Sequence, residues 1–396
     1  MRTLATAAAR VHSVDVVRGA VLVLMVLDHV RHFFSDALVS PTDLSHASPA
    51  LFLTRWITHF CAPVFVMLAG TSAFLSAHSR VLTRTELARY LVTRGAWLVV
   101  LELTVVRFGW LFNLDYEVAF GQVIWALGWS MIVLAGLVFL RTRTVLLFGG
   151  VLILGHNLLD GIDPAAFGAF ADAWRVLHAP GRIELAPGHV FFTPYSLVPW
   201  VGVMALGYGI APLFTLELRV RQRWLLLLGS ALTIGFVLVR AVNGYGDPKP
   251  WVAHDSGLLT VLSFLNCTKY PPSLDYLLMT LGPALVALAL LDRPAGRLGG
   301  VLETFGRVPL FFYLIHLPLV HGLAVALAAA RHEDVAWLFR ATGTSPIPSP
   351  PSVNDGVSLP VVYAIWLGAV ILLYPLCRWY AEVKRRRSDL QWLRYL

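Results

Sequence analysis

Apolar stretches of membrane-spanning length recur from one end of the chain to the other, separated by short polar segments. A helix needs about 20 mostly apolar residues to cross the ~30 Å hydrocarbon core of a bilayer. No long polar block remains for a second domain, so we expect an all-α membrane helix bundle, one domain over residues 1–396. The predicted spans are ten, at about 14–34, 56–77, 91–112, 119–140, 144–160, 196–214, 224–242, 273–291, 308–330 and 358–379.

One weaker apolar piece, residues 257–266, is too short to cross a bilayer. It is followed by Lys269, Pro271 and Pro272, which end a helix. We therefore interpret this piece as an interfacial or re-entrant helix within an outer loop.

The composition supports the membrane interpretation. Only 14% of the residues are charged and 57% are hydrophobic, whereas about a quarter of the residues in a soluble domain are charged. We therefore expect the lipid bilayer to be the main partner of the protein.

The net charge of +8 follows from topology. If the N-terminus is cytoplasmic, ten spans place most of the 31 Lys and Arg residues in cytoplasmic loops, together with "KRRR" at 384–387. This agrees with the positive-inside rule and predicts that both termini are cytoplasmic. No nucleic-acid partner is needed to explain the charge. The long loops then lie outside, where we expect a polar substrate to bind.

The first predicted helix carries an unusual set of ionisable residues in "RGAVLVLMVLDHVRHFF", residues 18–34. Eleven steps of about 100° place Arg18 and His29 on one face, roughly 16 Å apart along the axis, and Asp15 lies on the same stripe. Ionisable residues inside a membrane are costly and are therefore functional candidates. Arg31 and His32 are open to a second interpretation, as outer-end anchors that extend to the interface.

Other candidates lie in later segments. The second helix, in "RWITHFCAPVFVMLAGTSAFL", has Arg55 and His59 four residues apart, and for His59 the sequence favours a packing or cavity role over catalysis. His46 lies in the loop before it. "FGRVPLFFYLIHLPLVH" places Arg307 at a cytoplasmic edge and His316 inside the ninth helix.

Several kinds of site have no signature in the sequence. We find no phosphate-binding glycine loop, no HExxH, no GxSxG and no metal-ligand spacing, and the three cysteines are scattered. These absences argue against the function of an ATP-driven pump and against that of a serine hydrolase, and we expect no metal site.

The quoted segments resemble the bacterial relatives of heparan-alpha-glucosaminide N-acetyltransferase, a family of integral-membrane acyltransferases. The family's S-x-D-x-x-R-G pattern has its counterpart in Ser13, Asp15, Arg18 and Gly19. A wider group of membrane acyltransferases shares an Arg, ten residues, His motif, which matches Arg18 and His29. The "HAS" segment that carries the functional histidine of the heparan enzyme resembles His46 to Ser48.

The resemblance implies an enzyme that transfers an acetyl or other acyl group from cytoplasmic acyl-CoA, above all acetyl-CoA, to a sugar amine or hydroxyl on the outer side. A histidine, either His29 or His46, would act as base or acyl carrier, and we include the neighbouring Asp28 among the catalytic candidates. Arg18 and Arg307 would hold CoA phosphates. The remaining candidates would border the substrate cavity, and they are Asp15, Arg31, Arg55, His59 and His316.

Long outer loops on a bacterial chain of this kind fit an inner-membrane location, and we expect a small-molecule or glycan acceptor. A homodimer is left open. The alternative function is a secondary transporter or exporter that uses intramembrane His, Arg and Asp side chains as a proton relay. A purely structural role for the polar groups is the third hypothesis.

Overall fold

The computed structural model describes residues 11–293, 296–341, 346–387, 390 and 393, so residues 1–10 and 394–396 of the predicted domain lie outside it. The described chain is mostly helical. Its helices are α1 His12–Phe34, α2 Pro49–Ile57, α3 Cys61–Arg80, α4 Arg84–Leu101, α5 Arg107–Leu111, α6 Val123–Leu137, α7 Thr142–Gly155, α8 Ala171–Leu177, α9 Leu197–Ile210, α10 Leu218–Val242, α11 Gly257–Leu265, α12 Leu274–Leu290, α13 Arg297–Arg307, α14 Pro309–Ala330 and α15 Leu359–Arg386.

Each predicted span coincides with a helix or with helical segments joined end to end, and the weaker apolar piece forms α11. Six of the described helical segments are long and apolar enough to cross a membrane. The first helix, α1, is not among them because charged side chains interrupt its apolar stretch near both ends. An integral membrane protein is therefore indicated, while the number of ten crossings and the cytoplasmic termini stay predictions.

The outer helices expose apolar side chains that a soluble protein would bury. On α10, Leu227 and Leu238 are exposed, and on α15 Ile371 and Trp379 are exposed. Large exposed apolar surfaces mark contact with lipid or with another protein. These two helices therefore have the surface that a lipid-facing position requires.

The prediction of an all-α fold is incomplete, because segments outside the helices form a three-stranded sheet. Its strands are β1 Val118–Phe120, β2 Gly181–Ala186 and β3 His189–Thr193, in the order β1-β3-β2. The strands β2 and β3 form an antiparallel hairpin around Pro187 and Gly188, whose φ is +79°. The strand β1 pairs in parallel with β3, so the fourth span is helical only from Val123 onward, later than predicted.

The turn between α5 and β1 is organised by Arg107, which is fully buried. Its guanidinium donates to the backbone oxygens of Val118, at 3.1 Å, and of Asn113. It also pairs with the carboxylate of Asp115 at 2.8 Å. The Asp115 carboxylate is thus engaged by an arginine of its own turn.

The first helix lies at the centre of the bundle and packs against α3, α13, α14 and α15. Its crossing with α13 is unusually close. A Cβ added to Gly19 would lie 1.9 Å from the backbone oxygen of Leu302, and one added to Gly306 would lie 1.9 Å from that of Asp15. Only small residues allow two helix backbones to approach in this way.

Substitution of Gly306 tests this crossing. We expect Gly306→Ala to lower the apparent Tm of the purified protein, because overpacking costs about 1–3 kcal/mol or more. Gly300→Ala is the matched control on the same helix, since an added Cβ there meets nothing within 4 Å. Equal Tm values for the two variants would contradict the close crossing.

Candidate active site

Two histidines from separate helices meet inside the bundle. Nδ1 of His29 on α1 lies 2.8 Å from Nε2 of His316 on α14. His316 is fully buried, and His29 is half-buried and packs edge-on against Trp110, with 4.9 Å between the ring centroids. The sequence singles out both histidines but does not predict that they touch.

The hydrogen bonds of the pair determine which ring nitrogens carry hydrogen when both rings are neutral. Nδ1 of His316 lies 2.6 Å from the backbone oxygen of Tyr313, which only accepts, so this nitrogen is the donor. Nε2 of His316 then accepts the hydrogen of His29 Nδ1. No other hydrogen bond to the His29 ring is seen in the described part of the chain, so its Nε2 keeps the lone pair that a general base or a nucleophile requires.

The neighbouring Asp28 pairs with arginines and not with His29. Its carboxylate lies 3.0 Å from Arg31 and 2.5 Å from Arg55 of α2. The side chains of Asp28, Arg31 and Arg55 are only 19%, 13% and 15% exposed. Two guanidinium groups therefore offset the desolvation of the carboxylate, and Arg31 belongs to a largely buried ion-pair cluster.

A small cavity of about 40 Å³, called the inner cavity below, borders His29 and Asp28. Its other polar lining side chains include Gln122, Tyr195, Lys269 and Tyr313. An imidazole, a carboxylate, an ammonium group and two phenols thus border one small cavity.

A larger cavity of about 370 Å³, called the basic cavity, lies toward the end of α1 that carries Arg18. Its cationic lining residues are Arg18, Arg80, Arg94 and Lys384, all from segments predicted to be cytoplasmic. Phe65, Val123 and Tyr313 line both cavities. The two cavities therefore adjoin, with positive charge at one end and His29 at the other.

Arg18 is held in place by three elements. Its guanidinium lies 3.0 Å from the carboxylate of Asp15, 3.1 Å from the backbone oxygen of Gly306 and 2.7 Å from the hydroxyl of Ser72. Asp15 is buried, and its carboxylate pairs with Arg18. The close crossing of α1 and α13 brings the Gly306 oxygen within reach.

Arg307 ends α13 and pairs with Glu303 at 2.5 Å. Burial alone would raise the pKa of the Glu303 carboxyl, but hydrogen bonds with Arg307 and His12 lower it below its ordinary value. The Arg307 side chain is 44% exposed. Within the described residues it does not line the basic cavity, which Arg18 borders.

His46 lies on the turn that precedes α2, and its side chain is 67% exposed. Its Nδ1 lies 2.9 Å from a carboxylate oxygen of Asp43. This hydrogen bond, with one from the backbone N–H of Ser45, lowers the pKa of the Asp43 carboxyl. Neither the inner nor the basic cavity has His46 among its described lining residues.

His59 is buried, and its surroundings are those of a packing residue. Its backbone oxygen accepts the hydroxyl hydrogen of Tyr276 at 2.7 Å, and the two rings pack edge to face at 5.4 Å. The neighbouring Thr58, and not His59, borders the inner cavity.

The candidates predicted from the sequence do not include Gln122, Tyr195 or Lys269, which line the inner cavity. Gln122 accepts from Nε1 of Trp110 at 3.0 Å, and Trp110 in turn packs on His29. Lys269 was visible in the sequence as a lone cation between an apolar segment and a Pro-Pro pair. Its direction toward the bundle was not predicted.

The described residues include no group of three or more His, Cys, Asp or Glu side chains that could hold a metal ion. The residues present instead offer an imidazole base and several cations, which suit an anionic co-substrate.

The chain was compared with protein families and with curated proteins. The family model described as "Heparan-alpha-glucosaminide N-acetyltransferase, catalytic" matches residues 10–239, more than half of the chain. This range includes Arg18, His29 and Arg55, whereas Lys269 and His316 lie beyond it. No curated protein matches the chain. The chain belongs to the heparan-alpha-glucosaminide N-acetyltransferase catalytic-domain family.

Proposed function

We propose that the protein is a membrane acyltransferase that moves an acetyl or other acyl group from cytoplasmic acyl-CoA to a sugar amine or hydroxyl on the outer side of the membrane. Membership in an N-acetyltransferase family supports acetyl transfer. One observation carries the proposal: the basic cavity, with its four cationic side chains, adjoins the inner cavity, which contains the unprotonated nitrogen of His29.

The basic cavity is the proposed donor site. CoA carries several phosphate charges, and arginine side chains bind phosphate through paired charge-assisted hydrogen bonds. Arg80 and Arg94 border the cavity, and Arg18 lies deeper along α1. A CoA molecule with its phosphates beside these residues would direct its extended arm past Tyr313, which lines both cavities, toward His29.

The acyl transfer itself can be written with the residues of the inner cavity. The acceptor nitrogen or oxygen attacks the thioester carbonyl carbon while Nε2 of His29 takes the acceptor's proton. A new carbon–nitrogen or carbon–oxygen bond forms, the carbon–sulfur bond breaks, and the CoA thiolate receives the proton from the His29 imidazolium. As an acyl carrier, the same nitrogen would attack the thioester first and pass the acyl group to the acceptor afterwards.

The outer side is the proposed entry route for the acceptor. The loop that carries Lys269 reaches the inner cavity from the side predicted to be external. We place the protein in a bacterial inner membrane, where cytoplasmic acyl-CoA and external glycans lie on opposite faces of one bilayer.

Substitution of the two rival histidines tests the assignment. We expect His29→Ala to reduce acetyl transfer from acetyl-CoA to a panel of amino sugars by about 10²- to 10⁴-fold, the usual contribution of a general base. His46→Ala is the control and should keep wild-type transfer, because His46 is exposed and borders neither cavity.

Loss of transfer in His46→Ala with retention in His29→Ala would contradict the assignment. A wild-type protein that neither binds acetyl-CoA nor transfers the label would overturn the acyltransferase proposal. Gradient-driven flux of a solute without acyl-CoA would then support the transporter alternative.

His316 provides a second test, through the tautomer of His29. His316→Leu removes the acceptor of His29 Nδ1, and we expect transfer to fall on the order of 10²-fold, as it does when a reacting group is misplaced by about 1 Å. His316→Gln should restore part of the rate, because a carboxamide can accept from His29 and donate to the Tyr313 oxygen. Equal rates for the two variants, measured under saturating acetyl-CoA, would contradict this role.

The donor site is tested by charge removal in the basic cavity. We expect the double variant Arg80→Gln/Arg94→Gln to bind acetyl-CoA about thirtyfold more weakly or worse, because two lost phosphate contacts of more than ~1 kcal/mol each remove more than ~2 kcal/mol of binding free energy. Isothermal titration in detergent measures the Kd. Arg143→Gln, an exposed cation outside the basic cavity, should bind as the wild type does. An unchanged Kd in the double variant would place the donor elsewhere.

A further inference from the structure

Lys269 lies in the loop between α11 and α12, and it is the cation that borders the inner cavity beside His29 and Asp28. The loop is predicted to be external, yet its lysine reaches the interior of the bundle. Lys269 is half-buried, with its Nζ 5.2 Å from the ring centre of Tyr270. Its ammonium group is therefore positioned at the same small space as the proposed base.

The backbone around Lys269 is held on both sides by one carboxylate. Asp247 accepts from the backbone N–H of Thr268 at 2.7 Å, from the Thr268 hydroxyl at 2.8 Å and from the Ser273 hydroxyl at 2.6 Å. Asn266 adds a hydrogen bond to the backbone oxygen of Thr42. A side chain on a backbone held in this way is preorganised.

A buried arginine also holds the backbone of this loop. Arg240 is 2% exposed and donates to the backbone oxygens of Phe264, at 3.0 Å, and Asn266, at 3.1 Å. It also donates to that of Lys249 at 2.9 Å. Two charged side chains that are almost fully buried, those of Arg240 and Asp247, therefore hold the segment that carries Lys269 in position.

The charge of Lys269 has no carboxylate of its own in the described part of the chain. Asp28, the carboxylate of the inner cavity, is already paired with Arg31 and Arg55. A partly desolvated cation without a counter-ion is costly unless a negative charge arrives during function. The inner cavity is therefore arranged to receive a negative charge beside Lys269.

We propose that Lys269 is a catalytic residue whose ammonium group stabilises the oxyanion that forms when the acceptor attacks the acyl carbonyl carbon in the inner cavity. This inference rests on the proposed acyl transfer. As the new bond forms, the carbonyl π electrons move to the oxygen, which becomes negative beside Lys269. When the oxyanion collapses, the carbon–sulfur bond breaks and the thiolate takes the proton held by His29. Lys269 keeps its proton throughout.

The test compares Lys269→Gln with Lys249→Gln. Lys249 is an exposed lysine of the same outer segment, and it does not line the inner cavity. We expect Lys269→Gln to lower kcat for acetyl transfer about 10²- to 10³-fold, the cost of losing one oxyanion donor. Its Kd for acetyl-CoA and its apparent Tm should stay within twofold and within a few degrees of the wild type, and Lys249→Gln should match the wild type in all three.

A second substitution distinguishes loss of the positive charge from a folding defect. Lys269→Arg keeps the positive charge, and we expect it to retain more than a tenth of the wild-type kcat. Wild-type kcat in Lys269→Gln would overturn the inference, as would a raised acceptor KM at unchanged kcat, which would make Lys269 an acceptor-binding residue. Absence of transfer in the wild type itself would instead overturn the proposed function.

Discussion

The apolar interior of the bundle requires a partner for each ionisable side chain that the first helix brings into it, and these pairings organise the site. Arg18 is held by Asp15, Ser72 and the Gly306 oxygen, and Asp28 is held by Arg31 and Arg55. His29 bonds to His316. Buried polar groups without partners cost free energy. Within the described residues, Nε2 of His29 accepts no hydrogen bond and the ammonium group of Lys269 has no carboxylate partner, and both residues border the inner cavity.

The sequence predicted the position of each helix that corresponds to a span, because apolar length is a local property. It did not predict the hairpin at Pro187 and Gly188, although a Pro-Gly turn between two short β-forming segments is a local signal. It predicted that Arg18 and His29 share a face. It could not predict the contact of His29 with His316, because these residues lie 287 positions apart and meet only through the packing of α1 on α14.

The sequence also did not show which charged residues lie at the two cavities. The sequence predicts phosphate binding by both Arg307 and Arg18, but of the two only Arg18 lines the basic cavity within the described residues, and Arg307 is 44% exposed. Lys269 looked like a loop residue, and only the contacts of Asp247 and Arg240, which are distant in sequence, place it at the inner cavity. Long-range packing decides which charged residues of a membrane protein reach its interior, and a single sequence does not contain that packing in readable form.

On the proposed function, the basic cavity holds acyl-CoA so that its acyl group lies in the inner cavity beside Nε2 of His29. The most direct measurement is a cryo-electron microscopy structure of the protein with a non-hydrolysable thioether analogue of acetyl-CoA. We expect phosphates beside Arg80 and Arg94 and the carbonyl group inside the inner cavity, with its carbon within about 3.5 Å of Nε2 of His29 for an acyl carrier and one acceptor atom further away for a base. An analogue whose carbonyl group lies outside the inner cavity, or beside His46, would contradict it.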